Sequence, residues 1–92
     1  MKITFDSVKH NKTLDERGLD FMDTALVFEG QVYEFEDIRQ DYGEKRIIAV
    51  GDLFGRMVVI GYVQRGETKH VFSMRKANER EKKRYQEQFA GN

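Results

Sequence analysis

Lys69-His-Val-Phe-Ser-Met-Arg-Lys-Ala-Asn-Glu-Arg-Glu-Lys-Lys-Arg-Tyr85 is where the chain stops reading as strands and starts reading as a helix. The first half alternates, with His70, Phe72 and Met74 on one side and Lys69, Val71, Ser73 and Arg75 on the other, as a strand requires. Asn78 then offers a side-chain oxygen to the first helical turn, and Glu81 stands three residues on, the spacing of a capping box. The helix that follows is almost wholly polar; Tyr85 and Phe89, four apart, are its large apolar residues. Over residues 65–85 eight Lys/Arg face three Glu, a net charge of +5.

Working back from this stretch, three more strand-like runs precede it: 31–36, 45–51 and 57–63. The last two are apolar on both faces, the pattern of central strands. Asp52-Leu-Phe-Gly-Arg56 and Arg65-Gly-Glu67 read as hairpin turns, each with a glycine for positive φ. Ahead of the strands, Asp6 caps a helix over about 7–16 that Gly18 ends, and Asp20 caps a second. In that second helix Phe21, Ala25 and Phe28 fall at core spacing, with Leu26 widening the stripe. Lys2–Phe5 alternates as a short first strand. The order β-α-α-β-β-β-β-α predicts an α+β fold: a compact antiparallel meander with its helices against one face.

Ninety-two residues predict one domain, residues 1–92, with a modest core. There is no cysteine, hence no disulfide or thiolate site. No run is long enough to span a membrane, and the N-terminus lacks the apolar core of a signal peptide, so a cytoplasmic location is expected. The formal charge is zero, but residues 15–45 carry ten acids and three bases. An acidic first half and a basic end either attract each other within the fold or meet different partners.

Chemistry is sought first among the arginines. Arg75 lies on the alternation of Lys69 and Ser73. Arg65 lies on that of Val59, Gly61 and Val63, and Arg46 opens a strand beside Glu44. A sheet face bearing arginines, with a basic helix at its exit, suits phosphate, since guanidinium binds it bidentately. Arg75 and Arg65 are the candidate charge stabilisers, Glu44 the candidate base, Arg46 its neighbour or a phosphate ligand, and His70, as an imidazole, the reserve acid or base. Lys45, Lys69, Lys76, Arg80 and Arg84 are further candidate cations for a nucleic-acid backbone. The blander readings are a solvated helix for 79–84, cross-sheet ion pairs for Arg65 and Arg75, and a half-buried, satisfied His70. Residues 37–46 interleave three carboxylates with Arg39, Lys45 and Arg46 without EF-hand spacing, so a turn braced by Asp–Arg pairs is expected there rather than a metal. The glycines have no phosphate-loop spacing, and no cofactor is implied.

Three groups of residues also carry a family resemblance. The first is Asp6-x-x-Lys9 with Gly18-Leu-Asp-Phe21-x-x-x-Ala25, and the second Asp37-x-Arg39-x-Asp41-Tyr-Gly-Glu44-x-Arg46. The third is Tyr62-x-x-Arg65 with Ser73-x-Arg75-Lys-Ala77, Glu79-Arg80 and Tyr85. In this order and at this length the chain resembles the BrnT toxins of the type II BrnT/BrnA toxin–antitoxin systems. The resemblance implies a RelE-like fold, metal-independent RNA cleavage that halts translation, and neutralisation by a small BrnA-like antitoxin. It also implies that the antitoxin supplies the contact with operator DNA, so that the complex represses its own operon, as a toxin dimer or a heterotetramer with the antitoxin. The chain departs from the family pattern at Thr13, where Asn is usual, at Glu16-Arg17, where Lys-His is usual, and at His70, where Arg is frequent. The rival reading is a module that binds nucleic acid or protein without cleaving. In a third reading the basic helix, or equally the acidic residues 15–45, is mainly the antitoxin's docking surface.

Overall fold

A computed structural model of the chain describes residues 1–90. Its elements are β1 (Lys2–Phe5), α1 (Ser7–Arg17), a 3-10 turn (Phe21–Asp23), α2 (Thr24–Glu29), β2 (Val32–Glu36), β3 (Ile47–Leu53), β4 (Arg56–Arg65), β5 (Thr68–Lys76) and α3 (Glu79–Phe89). The fold is α+β, in the expected element order. Among the described residues no helix is long and apolar enough to cross a membrane.

The local signals act as their chemistry dictates. The Asp6 carboxylate accepts from the Val8 N–H, and Gly18, at φ 68°, returns its own N–H to Leu14. Asn78 and Glu81 form the reciprocal capping box that starts α3. α1 buries no residue of its own. It is held instead by Arg17, which donates to the Met74 carbonyl at 2.9 Å, and by His10, 2.7 Å from Asp20. The His10 ring also lies 4.7 Å from Phe5 and 5.7 Å from Phe21.

The second helix differs from its predicted stripe. Its first turn is 3-10, capped by Asp20. Three residues per turn stack positions i and i+3. Phe21, Thr24 and Val27 therefore share the buried side, Ala25 is half-buried, and Leu26 is 44% exposed. Thr24 is tolerated in the core because its hydroxyl donates to the Phe21 carbonyl at 2.7 Å.

The five strands form one sheet in the order β1-β5-β4-β3-β2. β2 to β5 are an antiparallel meander, as predicted, but β1 joins its far edge parallel to β5, with Phe5 opposite Val71. The sheet is thus mixed, and this edge pairing puts Ile3 and Phe5 against the main core. That core lies under α2 and is built on Phe21, Val27, Ala49, Ile60, Val71 and Met74. The helices do not all lie on one face. α3 turns to the other, where Tyr85 packs against Val50, Val59 and Ala77 and its hydroxyl donates to the Gln31 carbonyl at 3.1 Å. One tyrosine covers little, so the rest of this second face stays open.

A β-bulge sets which side chains that open face carries. Ser73 pairs with Gly61 and Val71 with Tyr62, so Phe72 has no partner on β4. An extra residue reverses the alternation beyond it. Ser73 and Arg75 keep the open face, but Lys69 is carried to the α2 face and His70 to the open face. Both placements correct the simple alternation. Lys69 accordingly sits 4.5 Å from the Tyr62 ring centroid and 5.2 Å from that of Phe28, and donates to Gln64 at 2.7 Å.

Candidate active site

The open face is centred on Arg46. Its guanidinium lies 4.1 Å from the Tyr42 ring centroid and 4.5 Å from that of Phe72. Two rings so placed hold the guanidinium plane in one orientation. The Arg46 Nε is buried and has no hydrogen-bond partner. Phe72 can serve as one wall because Gly61 opposite has no side chain: a Cβ there would meet the ring at 2.7 Å.

The other wall, Tyr42, is fixed by the loop between β2 and β3. Asp37 is buried and accepts from the Arg39 backbone N–H at 3.2 Å, from its Nε and Nη2 at 2.8 and 2.7 Å, and from the Tyr42 hydroxyl at 3.0 Å. The loop is the expected Asp–Arg braced turn, and the Asp37–Tyr42 bond links that brace to Arg46. The Arg39 guanidinium, more than any other group, holds the Asp37 carboxyl far below the usual carboxylate range.

Arg65 and Glu44 flank Arg46. Arg65 Nη2 lies 3.4 Å from both carboxylate oxygens of Glu44, and both side chains are about half exposed (54% and 42%). A charge-assisted bond is normally about 2.7–2.9 Å, so this pair is loose. Arg75 is held quite differently. Its two terminal nitrogens donate to the two oxygens of Glu81 at 2.8 and 2.7 Å. Glu81 also accepts from the Asn78 N–H at 2.9 Å. The Arg75 fork keeps the Glu81 carboxyl below its usual range, and Glu81 in turn raises Arg75.

The predicted site residues therefore separate. Arg75 pairs with Val59 in the ladder, while Arg65 lies at the far end of the same strand. At about 3.3 Å per residue this separation is about 20 Å, too far for one phosphate. Arg46, Glu44 and Arg65 form one group. His70, half-buried, stands opposite Val63 on the same face, its Nδ1 2.9 Å from the Thr4 hydroxyl. Lys45 is exposed beside Arg46. Lys76 ends β5 in a shallow pocket with Arg56 and Lys82, and Arg80 and Arg84 project from α3 beside Tyr33 and Phe35. Lys69, on the α2 face, is apart from all of these. Phe72 and Tyr42 were not singled out from sequence: the bulge hides Phe72, and Tyr42 shows its part only through Asp37. Among the described residues no three His, Cys, Asp or Glu side chains are grouped as a metal would need.

The paired carboxylates imply a pH dependence of stability. Asp37, Glu81 and Asp20 are all lowered, Asp20 mainly by the Met22 N–H and then by His10. A depressed carboxyl contributes stability that is fully present above its unfolded value, about 4, and lost as pH falls through the folded one. The melting temperature should hold from pH 7 to about 5 and fall below about 4. Glu81→Gln should flatten part of that fall in a melting series; a flat wild-type profile down to pH 2.5 would remove these pairs as contributors.

A family model described as "Ribonuclease toxin, BrnT, of type II toxin-antitoxin system" matches residues 5–81 of the chain. No curated protein matches it.

Proposed function

The chain belongs to the BrnT family of ribonuclease toxins of type II toxin–antitoxin systems, and from that premise we propose metal-independent cleavage of RNA on the open face of the sheet. The observation that carries the reading is the bulge at Phe72, which brings His70 onto the face of Arg46 and Arg65 and makes the wall that orients Arg46. RNA supplies its own nucleophile. As O2′ attacks the adjacent phosphorus, its proton passes to the Glu44 carboxylate. Arg46 and Arg65 neutralise the charge that develops on the phosphorane oxygens. The P–O5′ bond then breaks, and O5′ takes a proton from the His70 imidazolium. The products are a 2′,3′-cyclic phosphate and a 5′-hydroxyl.

The looseness of the Glu44–Arg65 pair favours this division of labour. An incoming phosphate competes well for Arg65 at 3.4 Å and releases Glu44. Arg75, bound on both prongs, is better suited to a phosphate further along the strand, once Glu81 yields. Cleavage of message would arrest translation in the cytoplasm, and a small BrnA-like antitoxin would neutralise the toxin and carry the complex to operator DNA.

The test is purified protein with single-stranded RNA, with and without EDTA, and analysis of the new ends. Cleavage unchanged by EDTA, leaving cyclic phosphate and 5′-hydroxyl ends, is expected. Loss of cleavage in EDTA, or 5′-phosphate ends, would sink the mechanism; RNA bound but never cut would favour a binding module.

A further inference from the structure

We infer that Phe35, with Tyr33 beside it, is a stacking platform for a nucleobase flanking the scissile phosphate, and that the substrate there is single-stranded. The inference rests on the ribonuclease reading above and adds a subsite to it. Phe35 lies on edge strand β2 opposite Ile48, and Ile48 is opposite Gly61, so it shares a row of the open face with the Phe72 wall. Two strand spacings put it about 10 Å from that wall, within reach of the nucleotides beside the reacting one. α3 covers the Val50 and Val59 end of the face and leaves Phe35 42% exposed. Its ring stands 5.7 Å from that of Tyr33, tilted by 45°.

The surroundings favour a polyanion carrying flat bases over an apolar peptide. Arg80 and Arg84 share the cleft with Tyr33 and Phe35, and Arg39 and Arg75 share the adjoining one with Phe35. At i and i+4, Arg80 and Arg84 stand on one side of α3. Among the described residues neither is in an ion pair. Of the carboxylates here, Asp37 and Glu81 are already neutralised by Arg39 and Arg75, which leaves Glu36 alone against the two free guanidiniums. Aromatic rings beside a row of cations are how single strands are held without a sequence code. A duplex keeps its bases stacked inside and cannot offer one to the platform.

The experiment compares wild type, Phe35→Leu and Phe35→Tyr. Leucine keeps the apolar bulk without the ring; tyrosine keeps the ring. The probe is a mixed-sequence 2′-O-methyl oligoribonucleotide, which has no free nucleophile, read by fluorescence anisotropy as single strand and as duplex. Phe35→Leu should weaken single-strand binding about 5- to 100-fold, with the salt dependence unchanged because the phosphate contacts remain. Phe35→Tyr should bind as wild type, and duplex binding should be the same for all three. Cleavage of natural RNA is measured alongside. If wild type cleaves and Phe35→Leu binds and cleaves equally well, the platform is wrong and the ribonuclease reading stands. If Phe35→Leu keeps RNA binding but escapes neutralisation by the antitoxin, the patch is a protein interface and the platform is again wrong. If wild type neither binds nor cleaves RNA, both readings fall.

Discussion

Arg46→Met is expected to lower RNA cleavage about 10²- to 10³-fold, the usual loss when one oriented charge contact to a transition state is removed. Methionine is the informative replacement because the Arg46 side chain fills a slot between Tyr42 and Phe72. A flexible apolar chain of similar length keeps that slot filled, so stability should change by no more than about 1.5 kcal/mol. Its Nε already lacks a partner in the fold, so no intramolecular hydrogen bond from that atom is lost. Arg46→Lys keeps the charge but not the plane. If orientation matters as much as charge, lysine should recover only a small part of the lost rate. The readout is single-turnover cleavage of RNA together with a melting curve. Arg46→Met cleaving within about threefold of wild type, at unchanged melting temperature, would remove Arg46 from the chemistry. The same substitution in Arg75 tests the division proposed above: with its fork already held by Glu81, Arg75→Met should cost much less than Arg46→Met.

What could be read from the sequence follows the range of the interaction. Asp6, Gly18, Asn78 and Glu81 act within one helical turn, and each behaves as its type and position predict. The meander of β3 to β5 was legible because short turns join apolar runs, and β2, beyond the long 37–46 loop, because its alternation marks a strand. The parallel pairing of β1 with β5 joins residues more than sixty positions apart, and nothing local encodes it. The phase of the second helix depended on its first turn being 3-10, which changes the period from 3.6 to 3.0. In the site, Glu44, Arg46 and Arg65 were findable as charges on strand ends near turns. Which arginine is oriented was not, because that rests on a bulge, and a bulge is a relation between two strands. The same bulge explains why Lys69 and His70 exchange faces: alternation holds only while the ladder has no extra residue.

Gly61 is therefore the position at which fold and site are tested together. A Cβ there would lie 2.6 Å from the Ser73 hydroxyl oxygen and 2.7 Å from two atoms of the Phe72 ring. Alanine for glycine in an extended strand normally gains about 0.4–1 kcal/mol by restricting the unfolded chain. Here that gain is opposed by contacts no side chain tolerates. The Ser73 hydroxyl can turn to another rotamer, but the Phe72 ring has to leave its seat, and overpacking of this kind costs about 1–3 kcal/mol. Gly61→Ala should accordingly lower the melting temperature by several degrees, on a scale of about 4–8 °C per kcal/mol for a domain this size. It should also reduce cleavage by more than the folded fraction explains, because the displaced ring is the wall that orients Arg46. A double-mutant cycle separates the two effects. With Phe72→Ala already present the main clash is gone, so adding Gly61→Ala should be close to neutral for stability. Cleavage should stay low in both Phe72→Ala backgrounds, since the wall is missing either way. If Gly61→Ala costs the same stability with and without the ring, the close approach of Phe72 is not what demands glycine. If Phe72→Ala leaves cleavage untouched, the guanidinium does not need its second ring, and the catalytic importance given to the bulge is lost.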